Sequence, residues 1–181
     1  EKNTGVYRPF TIVNDSINFR QCFYGYLPRA HRVSENKIYI LSKDAWVYDI
    51  SNKKFSAFKA CKNYQLPPSL MGYSDAEISL AMSANKIFQI TNRNDSIGLL
   101  FQIDEKEVIT AIDCDGRGKI WVGTTEGMGC YDIKAKRYYK IVSQLFSDID
   151  ALRYDPSSER VWICAQNQLF SYCTKDEKFI Q

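Results

Sequence analysis

Three groups of residues carry the side chains best suited to chemistry. Arg29, His31 and Arg32 form a basic cluster. Guanidinium forks match carboxylate and sulfate oxygens, so the cluster could grip an anionic sugar group. His31 is the only histidine and has no evident partner nearby in sequence, so it is a poor general base. Asp148 and Asp150 form a carboxylate pair of the kind a glycosidase uses, although acidic residues beside turns are usually just solvated. The third group is the glycine-punctuated stretch GKIWVGTTEGMGCYD, residues 118–132. A phosphate-cradling loop needs a strand followed directly by a helix, and no helical period follows these glycines. They punctuate strands instead, with Gly118 suited to a hairpin turn that needs positive φ.

The six cysteines (22, 61, 114, 130, 164 and 173) show no C-x-x-C spacing and no histidine at metal-ligand distance. They read as small buried hydrophobes with free thiols, and pairing stays open at this level. No metal and no cofactor is expected. Of 181 residues, 45% are hydrophobic, enough for a packed core. Twelve Tyr, ten Phe and three Trp favour strands. The net charge of +3 is small and the basic residues are interspersed with acidic ones, so no nucleic-acid footprint is indicated. No apolar run approaches the length of a membrane span, so no membrane contact is expected. The chain begins Glu1-Lys2-Asn3, as a mature protein or an excised segment would.

The elements that position these residues repeat. Ile120-Trp121-Val122 returns as Val161-Trp162-Ile163, 41 residues later. Tyr131 returns as Tyr172 and Tyr138 as Phe179, at the same offset. Upstream, Lys37-Ile38-Tyr39-Ile40 matches Lys119–Val122, and Tyr48-Asp49 matches Tyr131-Asp132. Lys86–Ile90 fits as the second strand of an intervening copy, with Leu99–Asp104 as its third strand and little room for a fourth. Each unit alternates with period two between turn residues, which predicts four antiparallel strands per repeat. The expected fold is all-β, with β-propeller blades over about 29–58, 76–104, 109–142 and 148–180. Residues 1–28 are a partial or irregular blade, and Tyr64–Met71 is a long insertion between copies. Trp121 and Trp162 are both expected to pack between neighbouring blades.

The run Asp113-Cys114-Asp115-Gly116, Ile120-Trp121-Val122-Gly123-Thr124, Glu126-Gly127-Met128 and Tyr131-Asp132 resembles the two-component-regulator propeller repeat. The resemblance is close over 109–139. It is partial over 148–179, where Cys164-Ala165 replaces Gly-Thr, and looser over 29–58. Over 76–104 only the strand pattern survives. Such repeats build the extracytoplasmic sensor region of hybrid two-component histidine kinases in glycan-degrading gut bacteria. The resemblance implies a periplasmic or extracytoplasmic segment of an inner-membrane-anchored protein, catalytically silent itself, sensing glycan-derived oligosaccharides. It also implies further propeller blades of the same protein. Open blade edges would favour a homodimer.

With the four strands of a blade labelled a to d, the d–a and b–c connections share one face. That face is the expected ligand surface: Arg29, His31, Arg32, Asp75, Glu77, Arg93, Glu126, Asp148, Asp150, Gln166 and Asn167. Lys43, Asp44, Asn92, Asn94 and Asp95 join them on this reading. Two other functions compete: an interaction scaffold that binds another protein, and a propeller lyase or glycosidase. A fold alone does not choose among them.

Overall fold

Ile120, Val122 and Thr124 alternate with Trp121 and Gly123 along one strand, and both sets are buried. A strand buried on both sides needs a packed layer on each face of its sheet, which stacked sheets provide. The computed structural model describes residues 6–7, 10–13, 16–19, 23–24, 29–34, 36–41, 45–59, 70–74, 78–141 and 147–180. Side chains are described for 36–40, 45–59, 78–141 and 147–180.

Four sheets of four antiparallel strands follow one another along the chain. The first holds β5 (Arg29–Ser34), β6 (Lys37–Leu41), β7 (Trp46–Asp49) and β8 (Lys54–Ala57). The second holds β9 (Leu70–Ser74), β10 (Ile78–Ser83), β11 (Lys86–Thr91) and β12 (Ser96–Gln102). The third holds β13 (Ile109–Cys114), β14 (Lys119–Thr124), β15 (Gly127–Asp132) and β16 (Arg137–Ile141). The fourth holds β17 (Ile149–Asp155), β18 (Arg160–Ala165), β19 (Gln168–Cys173) and β20 (Lys178–Ile180). Neighbours in sequence are neighbours in each sheet, the up-and-down order of a propeller blade. Before them, β1 (Val6–Tyr7) pairs with β4 (Phe23–Tyr24), and β2 (Phe10–Val13) forms a hairpin with β3 (Ser16–Phe19). No α-helix occurs among the described residues.

The second sheet corrects the sequence reading. Its strands span 70–102, not 76–104, and Lys86–Thr91 is the third strand rather than the second. The first strands then start at 29, 70, 109 and 149, a near-constant period. The turn before each fourth strand fixes this register independently. Its last residue is left-handed in all four sheets: Lys53 (φ 51°), Asp95 (φ 55°), Lys136 (φ 51°) and Glu177 (φ 53°). A left-handed residue closing a short hairpin loop is the usual way to rejoin two strands. Leu70 and Met71, expected in a loop insertion, belong to β9. The rest of that stretch, 64–69, lies outside the described residues.

The chain divides into two compact units, 1–81 with 89–98 and 82–88 with 99–181. In the first, Tyr39 is fully buried and stacks on Phe58 at 5.0 Å between centroids. Asp95 Oδ1 accepts hydrogen bonds from Lys37 Nζ (2.7 Å) and the Tyr39 hydroxyl (2.6 Å).

In the second unit, the β17–β20 sheet packs over one face of β13–β16. Ala111, Trp121, Met128 and Cys130 meet Leu152, Tyr154, Val161, Ile163, Phe170 and Tyr172 in one apolar cluster. Gly123 permits the approach, since a Cβ there would come within 2.7 Å of Ile149 Cγ2. Asp113, buried in β13, accepts the Tyr154 backbone N–H at 2.7 Å and so ties the two sheets together. Burial raises its carboxyl above the ordinary range, while that N–H and Arg153 pull it back down. On the other face of β13–β16, Phe101 stacks on Tyr131 at 4.0 Å.

The tryptophans do not share a fate. Trp121 is 3% exposed, but Trp162 is 39% exposed, contrary to the expectation of inter-blade packing for both. The cause lies in the layering: Trp121 faces the fourth sheet, whereas Trp162 faces away from the third.

Candidate functional site

In the second unit, the b–c and d–a connections interlock along the edge expected from the sequence to carry a ligand face. The Thr125 N–H donates to Val108 O (3.0 Å), and the Asp148 N–H donates to Thr125 O (3.1 Å). Thr125 therefore joins the lead-ins to both sheets. The Gln166 side-chain amide donates to Ser147 Oγ at 3.2 Å, binding the next loop to the same edge.

Beneath the Glu126 loop sits Glu107, a carboxylate only 7% exposed. It accepts hydrogen bonds from Thr124 Oγ1 (2.9 Å) and Lys140 Nζ (2.7 Å). The Glu126 N–H donates to Thr124 Oγ1 (3.0 Å). Glu107 thus fixes the loop that presents Glu126. In sequence it hides inside Glu105-Lys106-Glu107, which looks like a solvated charge run.

Five expected site residues stand on this edge with exposed side chains: Glu126, Asp148, Asp150, Gln166 and Asn167. Gln166 (φ 52°) and Asn167 (φ 59°) are both left-handed between the paired residues Ala165 and Gln168. Two consecutive positive φ values make a two-residue hairpin turn whose twist matches the strands. Asp148 is also left-handed (φ 49°). The pairing of β17 with β18 shifts between Ile149 and Ala151, which makes Asp150 the bulged residue. Bulges re-aim side chains and recur beside functional sites.

The other expected residues are not brought to this edge. Arg93 is exposed but lies in the turn between β11 and β12, the third and fourth strands, and so at the opposite edge of its sheet. Asn92, Asn94 and Asp95 move with it, and all three have structural partners: Asp95 holds Lys37 and Tyr39, and the Asn94 side-chain oxygen accepts the Ser96 N–H at 3.2 Å. Asn92 accepts from Ser79 Oγ through its side chain (2.8 Å) and from Lys37 through its backbone O (2.7 Å). Asp75 and Glu77 lie outside the described residues. They fall in sequence between β9 and β10, so the reason for placing them on a d–a connection no longer holds. Arg29, His31 and Arg32 lie on β5 in the first unit, with side chains outside the described residues. Lys43 and Asp44 are outside them too.

The edge is rich in acceptors. Three carboxylates and two amides match the hydroxyl donors of a neutral sugar better than an anion. A separate cleft of about 520 Å³ opens between the third and fourth sheets, lined by Trp121, Tyr139, Tyr172, Lys119, Asp132 and Glu177 among others. Lys119 starts β14, Asp132 ends β15 and Glu177 precedes β20, so this cleft lies toward the opposite edge.

The four described cysteines, 114, 130, 164 and 173, are free thiols. Burial pushes Cys130 up to about 12. No group of three or more His, Cys, Asp or Glu side chains suited to a metal ion occurs among the described residues.

No family model and no curated protein matches the sequence. Solved structures do. The chain is similar to the extracellular domain of the putative one component system BT4673 from B. thetaiotaomicron, with TM-score 0.69 and 14% identity over 84% of this chain and 21% of that one. A second structure, the extracellular domain of the putative hybrid two component system BT4673 from B. thetaiotaomicron, matches with TM-score 0.64 and 14% identity over 78% of this chain and 19% of that one. The chain spans about a fifth of the length of these structures. Among the described residues, no helix is long and apolar enough to cross a membrane. At this identity the likeness speaks for the fold: the four sheets are blades of a β-propeller.

Proposed function

We propose that this chain is a non-catalytic, ligand-sensing propeller segment of a hybrid two-component signalling protein. On this reading it lies in the periplasm or another extracytoplasmic space, and its ligands are oligosaccharides released from glycans. The observation that carries the reading is the shared fold with two structures of an extracellular domain, over most of this chain. The acceptor-rich edge of Glu126, Asp148, Asp150, Gln166 and Asn167 supports a hydroxyl-rich ligand held by hydrogen bonds. The acid–base reading of Asp148 and Asp150 draws less support, because both are exposed and Asp148 is fixed chiefly through its backbone N–H.

Thermal unfolding against a panel of plant and host oligosaccharides tests the proposal. A ligand at one hundred times its Kd stabilises by about 2.7 kcal/mol. For a chain of this size that raises Tm by about 5–11 °C. Asn167→Gly, which keeps the left-handed turn, and Asp150→Asn should reduce the shift without lowering the Tm of the unliganded protein. A folded protein whose Tm no oligosaccharide moves would remove the sensing assignment.

A further inference from the structure

The cleft between the third and fourth blades carries an apolar row and a charged row on one wall. Trp121, Cys130 and Tyr139 are cross-strand neighbours on β14, β15 and β16. Two residues further along each strand, Lys119, Asp132 and Arg137 form the next row on the same face. Two residues of strand rise set the rows about 7 Å apart, a distance that one hydroxylated ring bridges. The fourth blade adds Glu177 and Tyr172, whose ring lies 5.9 Å from that of Trp121. The volume of about 520 Å³ falls within the roughly 300–1,000 Å³ of small-molecule sites, which combine aromatic walls with a few polar groups.

Two of these aromatic side chains have unmet contacts. Trp121 is 3% exposed, and its indole Nε1–H has no hydrogen-bond partner among the described residues. A buried indole N–H ordinarily donates to an acceptor. Tyr139 also lines the cleft, yet it is 44% exposed, with the Arg137 guanidinium over its ring at 5.1 Å.

We propose that this cleft binds one neutral hydroxylated ring, a single sugar residue. Its apolar face lies against Trp121 and Tyr139, and its hydroxyls meet the charged row. Charge balance sets the class of ligand. Lys119 and Arg137 flank Asp132 in that row, and Glu177 lines the cleft from the fourth blade, so two cations stand with two carboxylates. Lys140, also in the lining, gives its ammonium to Glu107 at 2.7 Å. A charged ligand would meet as many like charges as opposite ones. A hydroxyl can donate to a carboxylate and accept from an ammonium, a guanidinium or the indole N–H. A purely apolar ligand would cover these groups without pairing them. The site is separate from the acceptor-rich edge: Lys119 starts β14 and Asp132 ends β15, whereas Glu126 lies between the other ends of these strands. It stands whether or not that edge holds an oligosaccharide.

The indole N–H resonances of the protein, isotope-labelled at its tryptophans, test the proposal. Three tryptophans give three signals, assigned through Trp46→Phe and Trp162→Phe. The probes are the methyl glycosides of glucose, galactose, mannose and N-acetylglucosamine at millimolar concentration, with glycine, methylammonium and sulfate as charged comparators. At least one methyl glycoside should move the Trp121 signal saturably and leave those of Trp46 and Trp162 in place. Tyr139→Ala should weaken that binding about three- to tenfold, as loss of one ring contact implies. Unchanged Trp46 and Trp162 signals in this variant show that the fold is kept. Asp150→Asn combined with Asn167→Gly, at the other edge, should leave the Trp121 titration as it was. The proposal is overturned by a Trp121 signal that no methyl glycoside moves, or by a titration that Tyr139→Ala leaves unchanged. A response to a charged comparator alone would overturn it too. Loss of the titration in the Asp150 and Asn167 variant would also overturn it and assign the ligand to the edge.

Discussion

Replacing Gly123 with alanine puts the packing of the third and fourth blades under direct strain. The added Cβ would lie 2.7 Å from Ile149 Cγ2, 3.0 Å from Ile149 Cβ and 3.1 Å from Leu152 Cδ2. Ordinary carbon contacts lie near 3.5–4.0 Å, so the sheets must separate or Ile149 must leave its rotamer. Overpacking of this kind costs about 1–3 kcal/mol. For a chain of this length the loss corresponds to a fall in Tm of about 2–12 °C. Gly98 supplies the control: a Cβ there meets nothing within 4 Å, and Gly98→Ala should stay within about 0.5 kcal/mol of the parent. Ile149→Ala removes the obstructing Cγ2. In a double-mutant cycle followed by thermal or urea unfolding, the pair should therefore show favourable coupling of at least about 0.5 kcal/mol. A Gly123→Ala protein as stable as Gly98→Ala, or strictly additive effects with Ile149→Ala, would refute the packing of β14 against β17.

The other predictions concern charge and reactivity. Asp113→Ala leaves the buried Tyr154 N–H without its acceptor and should cost about 1–3 kcal/mol in urea unfolding. Asp113→Asn retains an acceptor and isolates the titration. The Asp113 carboxyl is raised in the folded state, so the folded state binds the proton more tightly, and its contribution is present below the ordinary value of 3.8 and lost as pH rises through the raised one. Wild type should therefore gain on Asp113→Asn as pH falls, and the opposite trend would contradict the burial of this group. Asp155, held down to about 2 by Ser157 and Ser158, has the opposite sign: wild type should lose its advantage over Asp155→Asn as pH falls from 3.8 toward 2. At about pH 8, iodoacetamide should label Cys164 of the 181-residue chain and leave Cys130 unmodified until unfolding, since burial pushes the Cys130 thiol up to about 12.

How much of this was legible in the sequence depended on where the determinants lie. The strands of the third and fourth blades show their own signals, because Ile120-Trp121-Val122 and Val161-Trp162-Ile163 are closed by short polar turns. The second blade misled for a physical reason. Lys86-Ile87-Phe88-Gln89-Ile90 has the pattern of a strand covered on both sides, and the second and third strands of a blade meet that condition equally. With no tryptophan to mark the second strand, the register slipped by one strand and carried Arg93 to the wrong edge. The left-handed position before each fourth strand would have fixed it, but Lys53, Asp95, Lys136 and Glu177 share a backbone conformation and no side-chain type. The exposure of Trp162 was not legible either, since cover over that face comes from another layer rather than from the strand itself. Glu126, Asp148, Asp150, Gln166 and Asn167 were placed on their shared edge because hairpin order alone assigns turns to edges. Glu107 was missed because its burial depends on Lys140 and Thr124, both distant in sequence.

The central claim is that this propeller segment binds an oligosaccharide without transforming it. The most direct measurement is calorimetric titration of the oligosaccharide that gives the largest thermal shift, followed by mass spectrometry of the recovered ligand. The account predicts saturable binding, affinity at least tenfold lower in an Asp150→Ala, Asn167→Gly double variant, and a ligand recovered intact. A cleaved ligand, or binding that the double variant leaves unchanged, would contradict it.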